Sequence, residues 1–166
     1  MTACGPVIAL RDVLSNKTKY GLKALLVLAR EYGHGPILGT DLADRERIPK
    51  KFLEAILLEL KRHGLVHTRK GRGGGYALGR PPAEITFGEA IRVLEGPLAM
   101  VPCVSKTAYR PCAECVDERT CGVRVAMQEV RDSTARILDH MTLAGVNARV
   151  PARRPPATRR SGRQRG

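Results

Sequence analysis

A chain of 166 residues with 43 % hydrophobic side chains can build one substantial core and not two, so one domain with appendages is expected. The formal charge of +13 and a pI near 10.2 favour a polyanionic partner. No run approaches the roughly 18 uninterrupted apolar residues of a membrane span, and Arg11 and Asp12 interrupt a start that lacks a basic leader; no membrane partner and a cytoplasmic location are expected.

The charge is uneven. From Ala144 onward there are seven Arg and no acidic residue; removing them leaves 22 basic against 16 acidic residues, or +6 for the rest. This Pro- and Arg-rich segment, 144–166, reads as a disordered basic tail. Residues 1–13 read as a flexible extension.

Ser15 or Asn16 can cap a first helix, with Leu22, Leu25, Leu26 and Ala29 on one face, stopped by Gly33, Gly35 and Pro36. A short helix from about Thr40 to Arg45 adds Leu42 and Ala43. A third helix opens at Pro49, where a missing N–H costs nothing, and carries Leu53, Ile56, Leu57 and Leu60 at i, i+3, i+4 and i+7. It ends at Gly64, behind Lys61, Arg62 and His63. Leu65 to Lys70 and Tyr76 to Leu78 then flank the glycine-rich turn Gly71-Arg72-Gly73-Gly74-Gly75, the pattern of a β-hairpin with Arg69, Lys70 and Arg72 at its tip. Helix, short helix, tight turn, helix and basic hairpin together predict a winged helix-turn-helix. A third helix would enter the major groove of double-stranded DNA while the tip meets phosphates or the minor groove.

Thr86 and Glu89 form a capping box before a fourth helix with Phe87, Ala90, Ile91 and Leu94 buried, ended by Gly96 and Pro97. Residues 14–98 thus form the predicted DNA-binding domain, and 99–121 a cysteine-rich loop. Cys103, Cys112, Cys115 and Cys121 follow the pattern C-x8-C-x2-C-x5-C with no sustained periodicity between them. So long an irregular loop is costly to order, and a bound group would order it. Four thiolates suit an iron–sulfur cluster or a tetrahedral zinc; the plain alternative is a loop of incidental thiols, or one disulfide formed on oxidation. No βαβ pattern surrounds Cys112-Ala-Glu-Cys115, so a thiol oxidoreductase is a remote reading and no enzyme is expected. Cys4 stands apart.

Val123, Met127, Val130, Thr134, Ile137 and Met141 then recur in steps of 4, 3, 4, 3 and 4, a heptad stripe over 122–143 that suits pairing of two copies. The alternative is a terminal helix packed on its own domain. A symmetric homodimer would present two reading helices to an inverted repeat.

The chain resembles the IscR/NsrR-type winged-helix regulators of the Rrf2 superfamily. The resemblance runs from about Leu14 to Leu143, carried by Thr18-Lys19-Tyr20-Gly21-Leu22, Ile48-Pro49-Lys50-Lys51-Phe52-Leu53-Glu54, Gly73-Gly74-Gly75-Tyr76, Ile85-Thr86-Phe87 and Leu94-Glu95-Gly96-Pro97-Leu98. It implies a homodimeric bacterial transcription regulator, often a repressor, whose cysteine loop can carry an iron–sulfur cluster sensing cluster supply, nitric oxide or redox state; other members work without one. By resemblance, the base-reading positions are Pro49, Lys51, Phe52 and Glu54, and the wing contact is Lys70; Lys50, Arg69 and Arg72 flank them. Where the family places a noncysteine ligand, this chain has Arg124 or Lys19, neither a plausible ligand. If a cluster binds, Cys112 is expected to complete an all-cysteine set with Cys103, Cys115 and Cys121, a departure from the three cysteines and one noncysteine ligand of the family, with 2Fe-2S and 4Fe-4S types both open.

Overall fold

The computed structural model describes residues 14–71 and 73–151. The expected extension 1–13, Arg72 and the greater part of the basic tail lie outside the described residues.

Ser15 caps α1 (Asn16–Arg30), its Oγ accepting from the Thr18 N–H at 3.2 Å. Helix α2 (Gly39–Glu46) and helix α3 (Lys50–Arg62) follow, with Pro49 just ahead of α3 as its cap residue rather than inside its first turn. The four periodic residues of α3, Leu53, Ile56, Leu57 and Leu60, are all buried at 0–1 % exposure. Each such side chain contributes about 1.5–3 kcal/mol relative to leaving it in water. They pack with Leu25 and Leu28 of α1, Leu42 of α2 and Leu65 in one continuous core.

Strands β1 (Val66–Arg69) and β2 (Gly75–Leu78) pair antiparallel, with Val66 opposite Leu78 and Arg69 opposite Gly75. A short edge that the sequence did not reveal joins them: Ile37 and Tyr76 exchange N–H to C=O hydrogen bonds at 2.9 and 2.8 Å. Gly75 makes this approach possible, since a Cβ there would lie 2.2 Å from the Ile37 carbonyl oxygen.

Helix α4 (Phe87–Leu94) is capped by Thr86, which accepts from the Glu89 N–H at 3.1 Å. The expected reciprocal bond gives way to a stronger partner, because the Glu89 carboxylate pairs with Arg80. The loop beyond contains one 3-10 turn, Pro102–Val104, before α5 (Gly122–His140).

The C-terminal organisation differs from the expected division at 143/144. Helix α5 stops at His140, and Met141 is extended, its carbonyl accepting from the Phe87 N–H at 2.8 Å. Thr142 then caps a further helix, α6 (Leu143–Asn147). Leu143 is fully buried, and Asn147 donates to the Leu26 carbonyl at 3.0 Å while accepting from Arg30 at 3.1 Å. The residues just after 143 therefore belong to the folded body, seated on α1. Asp139 holds the end of α5 to α4 through both nitrogens of Arg92. This contact needs Gly88, where a Cβ would lie 2.0 Å from the Asp139 carboxylate.

Candidate nucleic-acid interface and cysteine loop

The turn between α2 and α3 is built around Arg47 and Ile48. Arg47 takes left-handed backbone angles, φ 54° and ψ 46°, and closes α2 with its N–H. A residue with a Cβ pays of order 1 kcal/mol for this conformation. Ile48, 4 % exposed, anchors the turn in the core and donates to the Ala43 carbonyl at 2.9 Å.

That anchor sets the start of α3 on the surface. Pro49, Lys50, Lys51, Phe52 and Glu54 are all exposed. The first turn of α3 contains no acidic residue, so the positive end of the helix dipole and both lysine charges add. Phe52 is fixed by an edge-on contact with Tyr20, ring centres 5.8 Å apart at 86°, which leaves 40 % of its surface open. Neither Lys50, Lys51 nor Glu54 makes an ion pair among the described residues, whereas Glu59, on the same helix, is engaged by Lys17 at 3.0 Å. In the wing, Arg69 and Lys70 are exposed and unpaired among the described residues, and the Gly74 N–H closes the tip on the Gly71 carbonyl at 2.9 Å. Arg72 falls outside the described residues.

The four cysteines differ in surroundings. Cys103, in the 3-10 turn, is 5 % exposed; Cys112, Cys115 and Cys121 are half-buried, and all four are free thiols. The Cys115 N–H donates to the Cys112 carbonyl at 3.2 Å, closing the C-x-x-C turn, and Cys121 is the cap residue of α5. Burial raises the Cys103 thiol pKa first, followed by its hydrogen bond with Cys112 and the charge of Cys112. Burial likewise raises Cys115, and the charges of Glu118, Cys121 and Cys112 act in the same sense. Among the described residues no three Cys, His, Asp or Glu side chains converge into a metal-holding group. The donor chemistry is that of a soft metal site, and the thiols lie near enough to act on one another's charge, Cys112 on Cys103 and both Cys121 and Cys112 on Cys115.

Arg124, discounted above as a ligand, has a different task. Its NH1 donates to the Cys103 carbonyl at 3.2 Å, and its Nε lies 3.4 Å from Glu118, which also accepts from the Tyr109 hydroxyl. This chain of contacts ties the cysteine loop to the first turns of α5, and residue order alone gave no sign of it.

On α5, Val123, Val130 and Ile137 are 64 %, 37 % and 61 % exposed and Met127 and Thr134 are half-buried; Met141, the last residue of the expected stripe, is half-buried but lies beyond the end of the helix. The one buried residue of the helix is Arg131, which reaches Asp132 at 3.3 Å while its Nε and NH1 find no acceptor among the described residues. No helix among the described residues is long and apolar enough to cross a membrane.

A short helix, a tight turn, an exposed cationic helix and a two-stranded hairpin define a winged helix-turn-helix protein. Residues 14–149 match the profile of the Rrf2 family, described as an iron-dependent transcriptional regulator, and the chain belongs to that family of helix-turn-helix transcriptional regulators. It is 40 % identical over 134 residues to a putative HTH-type transcriptional regulator, rrf2-like, of Rhodobacter capsulatus, covering 79 % of this chain and 89 % of that one. The structure of CymR, the global cysteine regulator of B. subtilis, superposes with a TM-score of 0.69 at 31 % identity over 82 % of this chain and 97 % of that one. T. potens IscR gives a TM-score of 0.66 at 29 % identity, over 82 % and 86 %.

Proposed function

We propose that this chain is a cytoplasmic, homodimeric repressor without catalytic activity of its own, which binds an inverted-repeat operator through the start of α3 and the wing. Pro49, Lys51, Phe52 and Glu54 read base edges, Lys50, Arg69, Lys70 and Arg72 hold phosphates, and the α5 stripe joins the two copies. Cys103, Cys112, Cys115 and Cys121 would hold an iron–sulfur cluster, of 2Fe-2S or 4Fe-4S type. When bound, the cluster supplies a centre that gains or loses electrons, or reacts with nitric oxide.

The observation that carries this reading is the bond from Arg124 on α5 to the Cys103 carbonyl. It makes the thiol loop mechanically continuous with the helix that would set the spacing of two reading domains. The exposed Val123, Val130 and Ile137 support a second copy against α5.

Anaerobic purification followed by iron, sulfide and zinc analysis, with operator binding before and after oxidation, tests the proposal. Iron with matching sulfide and an oxidation-dependent affinity are expected. A colourless protein with one tight zinc and unchanged affinity replaces the cluster with a structural zinc. Failure to bind any inverted repeat at modest ionic strength overturns the DNA reading itself.

A further inference from the structure

Arg47 adopts a conformation that glycine would take without strain, at φ 54° and ψ 46°, and it is the one non-glycine residue with positive φ among those described. Nothing among the described residues accounts for an arginine there. Its N–H closes α2 on the Ala43 and Asp44 carbonyls, a bond that any residue supplies. Its side chain is exposed and makes no hydrogen bond, ion pair or ring contact among the described residues, while neighbouring Glu46 is directed to Lys23 at 3.8 Å. The strained backbone therefore holds a guanidinium that the fold does not use.

Its place suggests what does use it. The next residue, Ile48, is pinned in the core, so the turn is rigid, and Arg47 stands two and three residues ahead of Pro49 and Lys50 on the rim of the reading helix. In helix-turn-helix docking the elements before the reading helix cross the DNA backbone rather than the base edges. We propose that Arg47 binds a backbone phosphate of the operator and sets the depth at which α3 enters the groove. This inference rests on the DNA-binding reading above. The turn fixes the backbone from which the side chain reaches, and the planar guanidinium fork suits bidentate binding of a phosphate.

The test uses the full chain and a fluorescent inverted-repeat duplex selected from a random library by the parent protein. Affinity is measured against KCl concentration, and Tm is recorded for Arg47→Gly and Arg47→Lys. Arg47→Gly should melt at the same or a higher temperature and yet bind more weakly, with the log K against log salt slope reduced by about 0.9 per subunit. The loss should be uniform across related duplexes, because a phosphate contact carries no sequence information. Arg47→Lys should restore most of the slope. A parental slope in Arg47→Gly, or a lower Tm, overturns the inference while leaving the DNA reading in place. Failure of the parent to select any duplex overturns both together.

Discussion

Glu95 shows how much of this fold rests on single polar atoms. Its carboxylate accepts from the Ser15 N–H at 3.1 Å, the Ser15 hydroxyl at 2.7 Å and the Thr18 hydroxyl, fastening the end of α4 to the start of α1. The Thr18 bond, then the Ser15 hydroxyl, hold its pKa below the ordinary carboxylate value of 4.5. A depressed acid stabilises the fold at pH values above its unfolded pKa, and the benefit is lost as pH falls through the folded one. Glu95→Gln should therefore lower the denaturant midpoint at pH 7, and the gap to the parent should close as the pH falls below about 4.5. Because the group is exposed, the effect is modest and salt-sensitive. A gap that persists in acid would mean that hydrogen-bond geometry, and not charge, holds the joint.

At the scale of elements, α6 carries the clearest consequence. Leu143 is fully buried and its N–H bonds the Ile85 carbonyl at 3.0 Å, so Leu143→Ala should cost about 2–5 kcal/mol of stability and lower operator affinity only through unfolding. Urea denaturation beside binding at saturating folded protein separates the two effects. This helix was not legible in the sequence. Its five residues are too few to show a period, and Leu143 reads equally well as the continuation of a stripe ending at Met141. Helices α1, α3 and α4 were legible because their signals are local: a Ser or Thr cap for α1 and α4, Pro49 at the start of α3, and in each an apolar face repeating every three or four residues. The Ile37 to Tyr76 bridge and the bonds of Arg124 join residues far apart in the chain, which local patterns do not encode. The candidate site divides likewise. Exposed cations and four thiols could be read directly, whereas the strain at Arg47 and the hold of Arg124 on the Cys103 carbonyl appear only in three dimensions.

For the whole molecule, the decisive surface is the outward stripe of α5. Ile137 is 61 % exposed in the single chain. If two copies bury that stripe, Ile137→Glu removes about 1.5 kcal/mol of apolar burial from each, or about 3 kcal/mol per dimer, raising the dimer dissociation constant about a hundredfold. Sedimentation at micromolar concentration should then find monomers, and operator affinity should fall with them. A variant that stays dimeric would move the interface elsewhere on the molecule.

The clamp of Asp139 on Arg92, reinforced by the bonds of Met141 to Phe87 and of Leu143 to Ile85, ties the end of α5 to the body that carries α3 at three points. Two such bodies joined along α5 would behave as a pair of calipers whose opening is set at the pivot. One base pair inserted at the centre of the palindrome turns the far half-site by about 34° around the duplex axis, away from jaws set to the parent spacing, and should weaken binding.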